Sequence, residues 1–530
     1  VKETDMPKVL ISDNLSPRAV EIFRRRGVDV DTRTGLKPAE LEAIIGAYDG
    51  LAIRSATKVT PSLIAAATNL KVVGRAGIGV DNVDVPAATR RGIVVMNTPF
   101  GNSITTAEHA IAMMFALARQ IPAADRSTQA GKWEKNRFMG VELFAKTLGI
   151  IGCGNIGAIV AERALALKMK VVAYDPFLTA ERAVKLGVEK LELDDLLARA
   201  DFITLHTPLT DATRNILDAV ALAKCKRGVR IVNCARGGLV VESDLLAALG
   251  DGRVAGAALD VFLTEPAHES PLFGRDDVIC TPHLGASTTE AQENVALQVA
   301  EQICDFLLDG AVVNAINMPS VTAEEARQLG PYMALGARLG TYLGQLSDDN
   351  IRAIAVEYEG HAAEINPKPV TACVLAGLLS QQLDSVNTVS APVLARARNI
   401  AVTETRHDRQ TDYPTLIRVT VESDGHRRTI AGSLFGNQKP RIVELAGVTI
   451  EAEFAPNMLY VRNQDRPGFI GRLGQVLGDA QINIAAFGNG RSKPGEDAIC
   501  LVSTDQPVTD EALAMIRAIP HVLRVRALRF

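Results

Sequence analysis

The sequence predicts an α/β protein: two doubly wound parallel-sheet domains, then an α+β segment, then a small ferredoxin-like unit. Three observations predict it. Short apolar strands alternate with amphipathic helices over residues 8–98 and again over 147–284, the pattern of parallel α/β domains. The second run opens on a glycine turn, Gly152-Cys153-Gly154-Asn155-Ile156-Gly157, set between an apolar strand and an alanine-rich helix. Residues 456–530 run strand, helix, strand, strand, helix, strand.

Length and charge narrow the choice. A chain of 530 residues exceeds what one core organises, so several domains are expected. A net charge of −4 gives no electrostatic footprint for nucleic acid or an anionic membrane. The seven cysteines are scattered without a CxxC pair, which fits reduced thiols in a cytoplasm and no metal site. Val1 and the polar residues Lys2 to Asp5 do not read as a signal peptide. The long apolar stretch from Ile104 to Ile121 contains Glu108, His109 and Arg119, so it reads as a buried helix rather than a membrane span.

In the first run, strands are expected at 8–13, 28–33, 50–55, 71–76 and 93–97. Two of them end in polar groups: Arg54-Ser55, and Gly74-Arg75-Ala76-Gly77-Ile78-Gly79. Ligands of open α/β sheets bind beyond such carboxyl ends. Arg54 with Ser55 suits a phosphate or carboxylate, with a surface ion pair as the competing reading. The glycine loop suits an anion held by backbone N–H groups. A helix over 104–121 follows. The segment after it holds the single tryptophan, Trp133, with Lys135 and Arg137 close by, and suits a core or an interface.

The glycine turn is a dinucleotide fingerprint because of its setting. Gly152 permits the tight turn, Gly154 lets backbone approach a pyrophosphate, and Gly157 lets helix and strand pack closely. The pyrophosphate then rests on free N–H groups at the helix start. Asp175 closes the next strand and suits the adenosine ribose hydroxyls. Pro176 and Phe177 follow it, with no arginine for a 2′-phosphate, so the cofactor reads as NAD.

Further strand ends are His206-Thr207-Pro208, Asn233-Cys234-Ala235-Arg236, Asp260 and His283, with Glu265 in a loop on the same edge. Hydride transfer from a 2-hydroxy acid needs these residue types. A base must take the hydroxyl proton, and His283 suits. A cation must hold the carboxylate, and the fork of Arg236 suits. A carboxylate must fix the tautomer of the histidine, and Glu265 suits.

Several motifs carry a resemblance: Val-Leu-Ile-Ser-Asp at 9–13, Ile-Arg-Ser-Ala-Thr-Lys-Val-Thr at 53–60, and Gly-Arg-Ala-Gly-Ile-Gly-Val-Asp-Asn-Val-Asp at 74–84. The glycine turn, Asn-Cys-Ala-Arg-Gly-Gly at 233–238 and Pro-His-Leu-Gly-Ala-Ser-Thr at 282–288 complete the set. Over about the first 315 residues the chain resembles the D-isomer-specific 2-hydroxyacid dehydrogenase family. The resemblance implies a catalytic trio of Arg236, Glu265 and His283. It implies an NAD site of Gly152, Gly154, Asn155, Ile156, Gly157, Asp175, Thr207, Pro208, Ala235, Asp260, Gly285 and Ala286. It implies substrate contacts from Arg54, Ser55, Arg75, Gly77 and Asn102, and a loop with Trp133, Lys135 and Arg137 that reaches a neighbouring subunit. It further implies a Rossmann NAD domain (99–284) inserted in a flavodoxin-like substrate domain (1–98 and 285–316), with a cleft that closes on substrate.

Ser287-Thr288-Thr289-Glu290 reads as a capping box opening a helix that ends at Gly310. In the α+β segment (317–455) a helix is expected near 322–346, strands at 351–359, 415–423, 426–435 and 441–454, and a helix near 369–384. This segment resembles the regulatory intervening domain of the family's long members. Arg427, Arg428, Lys439 and Arg441 suit either a charged strand face or an anion effector site. In the last unit (456–530) Asp465-Arg466-Pro467-Gly468 follows the first strand, a helix runs to Ala480, and strands pass through Ile482-Asn483-Ile484 and 497–504. A helix at 508–518 and a strand at 521–529 follow. This unit resembles an ACT domain, which implies an effector site, L-serine or another small molecule, at Asn463, Asp465 and Asn483. Asp465 has a second reading, as a cap for the helix after Pro467.

Together these imply NAD-dependent oxidation of 3-phospho-D-glycerate to 3-phosphohydroxypyruvate, the first step of phosphorylated serine biosynthesis, in a cytoplasmic homotetramer. Two alternatives stand beside it. One is a glyoxylate or hydroxypyruvate reductase on the same scaffold; the other is an NAD(H)-sensing binding protein.

Overall fold

The computed structural model describes residues 6–347, 350–383, 386–407, 412–436 and 438–530. The polar start at 1–5 and the end of the expected helix at 384 lie outside the described residues.

The first sheet is parallel, in the order Asp29–Thr32, Lys8–Ile11, Gly50–Ile53, Val72–Arg75, Val94–Asn97. Its inner strands are apolar on both faces, as a sheet covered on both sides requires. One cover comes from far along the chain. Helix Thr289–Asp309 places Val295, Val299 and Ile303 in one core with Val9, Val72 and Val94. Its start differs from the expected capping box by one residue. Thr288, not Ser287, is the N-cap, and its side chain accepts from the Ala291 N–H. Glu290 therefore lies one position short of the place where it could reach back.

The second sheet is also parallel, in the order Val278–Cys280, Val254–Leu259, Val229–Asn233, Phe202–Leu205, Thr147–Ile151, Lys170–Tyr174, Glu189–Lys190. Strand order reverses between Phe202–Leu205 and Thr147–Ile151, which opens a crevice beyond their carboxyl ends. Helix Ser103–Arg119 covers one face through Ala107, Ala110 and Met114. It stops short of residue 121 because Gln120 is left-handed (φ 52°), and Pro122 starts a second helix, Ile121–Gln129.

The third sheet is mixed. Strand Ile351–Gly360 pairs parallel with Ala401–His407 and antiparallel with Thr415–Ser423. Strands His426–Phe435, Lys439–Leu445 and Val448–Glu453 continue it. The strand expected over 441–454 is thus two, separated by left-handed Ala446 and Gly447. Helices Ala323–Leu346 and Pro367–Leu379 lie together against this sheet. They approach backbone to backbone: a Cβ on Gly340 would meet the Val374 carbonyl oxygen at 2.1 Å.

The last sheet is antiparallel, in the order Ile484–Arg491, Asp497–Thr504, Asn457–Gln464, Val522–Arg529. Helices Phe469–Asp479 and Asp510–Arg517 cover one face through Leu473, Leu477 and Ile516. Its other face shares a core with helix Ala323–Leu346, where the rings of Tyr342 and Tyr460 meet edge to face at 6.3 Å. Gln345 and Arg529 exchange two hydrogen bonds of 2.8 Å across this junction. Among the described residues no helix is long and apolar enough to cross a membrane.

Candidate active site

The glycine turn is shaped by what side chains there would strike. A Cβ on Gly152 (φ 92°) would meet the His206 carbonyl oxygen at 2.6 Å, and one on Gly157 would meet the Gly152 carbonyl oxygen at 2.1 Å. Gly154 faces open space instead. It is also the N-cap of helix Asn155–Ala166, with no side chain capping the first turn. Helix N–H groups therefore point outward unclaimed by side chains, a cradle for a diphosphate. Asp175 stands across from this cradle and accepts from the N–H groups of Cys153 (2.9 Å) and Phe177 (2.8 Å). Each carboxylate oxygen keeps one lone pair for a ribose hydroxyl. Thr207 and Pro208 follow the next strand end. Before them His206 bonds Thr204 Oγ1 at 2.9 Å, and burial pushes its imidazole down to about 4, so it is neutral at pH 7.

The three candidate catalytic side chains rise from separate strand ends. His283 Nδ1 lies 2.7 Å from Glu265 Oε2, while Glu265 Oε1 accepts from the Phe262 N–H at 3.0 Å. Burial pushes the Glu265 carboxyl up, but the bonds from His283 and Phe262 outweigh it and hold the carboxyl below its ordinary value. A carboxylate only accepts, so His283 Nδ1 carries a proton, and in the neutral imidazole Nε2 presents a lone pair. Arg236 donates from Nε to Asp81 (2.9 Å) and from Nη1 to the Ala235 carbonyl (2.6 Å). Asp81 belongs to the first α/β run, so this ion pair spans the cleft between the two sheets. Asp260 lies beneath the site: it is fully buried, and its carboxylate binds the loop that carries His283, Leu284 and Gly285.

The facing wall is cationic. Arg75 is largely enclosed; among the described residues its Nε has no hydrogen-bond partner, and its one side-chain hydrogen bond is a long 3.5 Å one to the Ala76 carbonyl. Burial, then the neighbouring Arg236 and Arg54, push its guanidinium down to about 10, still charged at pH 7. Gly77 takes φ 144°, a conformation that favours glycine, and a Cβ there would also displace the Arg75 guanidinium, whose Nη1 would lie 1.5 Å away. Asn102 is buried with Oδ1 unpartnered, at the start of helix Ser103–Arg119. Arg54 is fixed through its backbone N–H, which donates to Asp13 Oδ2 at 2.6 Å, and Ser55 beside it is exposed. Sequence reasoning passed over Asp13 and Asp81, although both sit inside motifs it quoted. The signal available was position: Asp13 follows strand Lys8–Ile11 by two residues, and Asp81 lies in the glycine loop that follows strand Val72–Arg75.

Two of the three expected effector residues converge and one does not. Asn463 and Asp465 line a cavity of about 280 Å³ with Gly468, Asn489 and Arg491. Asn483 is elsewhere and donates to Asp505 Oδ2 at 2.6 Å. Nor is Asp465 a helix cap. Gly468 holds the N-cap position, and Asp465 pairs with Arg491 at 2.7 Å, which holds its carboxyl below its ordinary value. Arg427 and Arg441 meet Glu422 and Glu453 on neighbouring strands, the pattern of a charged strand face. Among the described residues, two groups bring three metal-type ligand atoms within 4.8 Å of one another. In His109, Cys234 and Asp260 the carboxylate already accepts from N–H and O–H donors. In Glu357, Glu359 and His407 the Arg418 guanidinium supplies the cation, at 3.5 and 3.1 Å from the two glutamates.

The chain was compared with known proteins. Residues 111–285 match the D-isomer specific 2-hydroxyacid dehydrogenase NAD binding domain. The D-3-phosphoglycerate dehydrogenase of Synechocystis sp. is 45% identical over 519 residues, which is 98% of this chain and 94% of the relative. That of Bacillus subtilis is 41% identical over 522 residues, 98% and 99% of the two chains. The chain belongs to the D-3-phosphoglycerate dehydrogenase branch of the D-isomer-specific 2-hydroxyacid dehydrogenase family. Two further domain models match the second half: the D-3-phosphoglycerate dehydrogenase intervening domain over residues 328–446 and the ACT domain over residues 457–521. A crystal structure of D-lactate dehydrogenase from Aquifex aeolicus, complexed with NAD and lactic acid, is similar over all of its length but only 59% of this chain (TM-score 0.52, 25% identity). An NAD site in the second α/β domain agrees with both the family match and the glycine cradle.

Proposed function

We propose that the enzyme oxidises 3-phospho-D-glycerate to 3-phosphohydroxypyruvate with NAD, at the entry to phosphorylated serine biosynthesis. One observation carries the substrate: Arg236 and Arg54 lie close enough to add to the depression of the buried Arg75 guanidinium, and Arg75 is left without a good partner. An enclosed cation with unspent donors is costly until an anion arrives. A phosphorylated 2-hydroxy acid brings a carboxylate and a phosphate of −1.5 to −2, about three negative charges in all. Glyoxylate or hydroxypyruvate brings one, for which Arg236 alone is enough.

The division of labour follows from position. Arg236 holds the carboxylate with the donors not given to Asp81 and the Ala235 carbonyl. Arg75 and Arg54 hold the phosphate, and Asn102 lines the substrate wall. His283 Nε2 takes the C2 hydroxyl proton as the C2 hydride leaves, and Glu265 stabilises the imidazolium that forms. Bound NAD supplies the hydride acceptor.

Self-association of the cytoplasmic enzyme, to a homotetramer, is supported by the segment after helix Ser103–Arg119, where Trp133 is 84% and Met139 77% exposed. The cavity at Asn463 and Asp465 is the place for a small amino-acid effector such as L-serine.

The test is a competition of keto acids with NADH: 3-phosphohydroxypyruvate against hydroxypyruvate, glyoxylate and pyruvate. A preference of about 100-fold or more in kcat/KM for the phosphorylated acid is expected, since charge-assisted pairs contribute roughly 1.5–3 kcal/mol each. Equal use of hydroxypyruvate would make the chain a general 2-keto acid reductase.

A further inference from the structure

The loop that carries His283 is built around a buried anion. Asp260 has no exposed surface. Oδ1 accepts from Thr281 Oγ1 (2.6 Å) and the Leu284 N–H (2.7 Å), and Oδ2 accepts from the Gly285 N–H (2.8 Å). The His283 N–H donates to the Asp260 carbonyl at 2.9 Å. Residues 281–285 thus wrap one side chain, as backbone donors wrap a bound anion. Within the wrap His283 is left-handed, φ 55°. A non-glycine residue keeps that conformation only where its surroundings impose it. Asp260 imposes it here, and it thereby sets the direction in which the imidazole leaves the backbone toward Glu265.

One contact to this carboxylate comes from outside the loop. His109, on helix Ser103–Arg119, places Nε2 3.3 Å from Asp260 Oδ1 and 3.4 Å from Thr281 Oγ1. One turn earlier on the same helix, Thr106 Oγ1 donates to the Gly285 carbonyl at 2.8 Å. The helix therefore grips both flanks of the His283 loop, through Thr281 and through Gly285. The same helix starts at Asn102, the buried residue with an unspent acceptor on the substrate wall.

We propose that His109 is a positioning residue for the reaction: by donating to the Thr281 hydroxyl, which itself donates to Asp260, it locks the 281–285 loop to the helix that begins at the substrate wall, and so fixes His283 against the substrate. This rests on the assignment of His283 as the base. His109 touches neither substrate nor cofactor in this account. It acts through Thr281 and Asp260, on the placement of the reacting nitrogen rather than on binding.

Two variants separate that role from packing. His109→Leu fills similar space without a donor; His109→Gln keeps an N–H donor of similar reach. Each is measured with NADH and whichever 2-keto acid the wild type uses best, so a failure of phosphate preference shows in the wild type alone. His109→Leu is expected to lower kcat by about 10- to 100-fold, the effect of a displacement near 1 Å at the reacting atom, while KM for both substrates stays within about threefold. His109→Gln is expected to recover most of that loss. A histidine-labelled NMR spectrum of the NADH complex gives a reading without turnover: the bonded Nδ1 proton of His283 should weaken or vanish in the leucine variant and persist in the glutamine variant. The proposal is overturned if His109→Leu retains kcat within twofold with that proton intact. It is overturned equally if glutamine is as damaging as leucine, because ring packing rather than donation would then be the cause.

Discussion

Arg75→Met should make the protein more stable and the enzyme worse, and the structure sets both magnitudes. The Arg75 guanidinium is pushed well below its ordinary value, down to about 10, by burial first and then by Arg236 and Arg54. At 1.36 kcal/mol per pKa unit this disfavours its charged form by roughly 3 kcal/mol. Methionine has nearly the same reach, no charge and no donor left unbonded. Replacing a poorly compensated buried charge by an apolar side chain is typically neutral to about 4 kcal/mol stabilising. A gain of about 1–3 kcal/mol, or about 2–4 °C in Tm per kcal/mol for a domain of this size, is expected. The same change removes the donors meant for phosphate, so kcat/KM for 3-phosphohydroxypyruvate should fall roughly 10- to 100-fold, the loss of one charge-assisted pair. Hydroxypyruvate, with no phosphate, should be affected far less. The assays are thermal unfolding of the apo protein and steady-state reduction with NADH. A lower Tm together with an unchanged kcat/KM would refute the reasoning, because Arg75 would then be a satisfied structural residue.

Other predictions follow from the same contacts. Asp175→Ser should shift the NADP-to-NAD ratio of kcat/KM upward by about tenfold or more, by removing the carboxylate that repels a 2′-phosphate. Burial raises the Asp260 carboxyl, yet bonds from His109, Thr281 and Leu284 hold it below its ordinary 3.8. A depressed folded value stabilises fully above pH 3.8 and the contribution is lost as pH falls through the folded value. Asp260→Asn should therefore unfold more easily in urea at pH 7, by about 2–4 kcal/mol, with the gap to wild type narrowing below pH 4. Trp133→Asp combined with Met139→Asp should move sedimentation at micromolar concentration toward smaller species while NADH still binds.

Much of the molecule was legible because parallel sheets write themselves as buried apolar runs, and the glycine turn marks the crevice. The strand ends were legible for the same reason, since a charge directly after a run of Val, Ile and Leu has few places to go but the cleft. What escaped depends on pairing at long range. Strand Ala401–His407 reads Ala-Val-Thr-Glu-Thr-Arg-His, largely polar, and it is an exposed edge strand parallel to Ile351–Gly360. Nothing local says strand there; its partner does. The break at Ala446-Gly447 looked like strand because alanine rarely takes a left-handed φ. Thr288 displaced Ser287 as the helix cap by one residue, a margin that sequence spacing alone does not resolve. In the last unit Asp465 answers to Arg491, 26 residues further on, and a local reading as a cap could not find that partner.

The central claim is that His283, backed by Glu265, moves the C2 proton while other groups bind. The most direct measurement is His283→Ala, with kcat and the NADH dissociation constant taken on the same preparation. The account predicts NADH binding within about twofold of wild type and a fall in kcat of about 10²- to 10⁴-fold, the contribution of a positioned general acid–base. A kcat within tenfold of wild type, with NADH still bound, would contradict it and send the search for the base to another strand end.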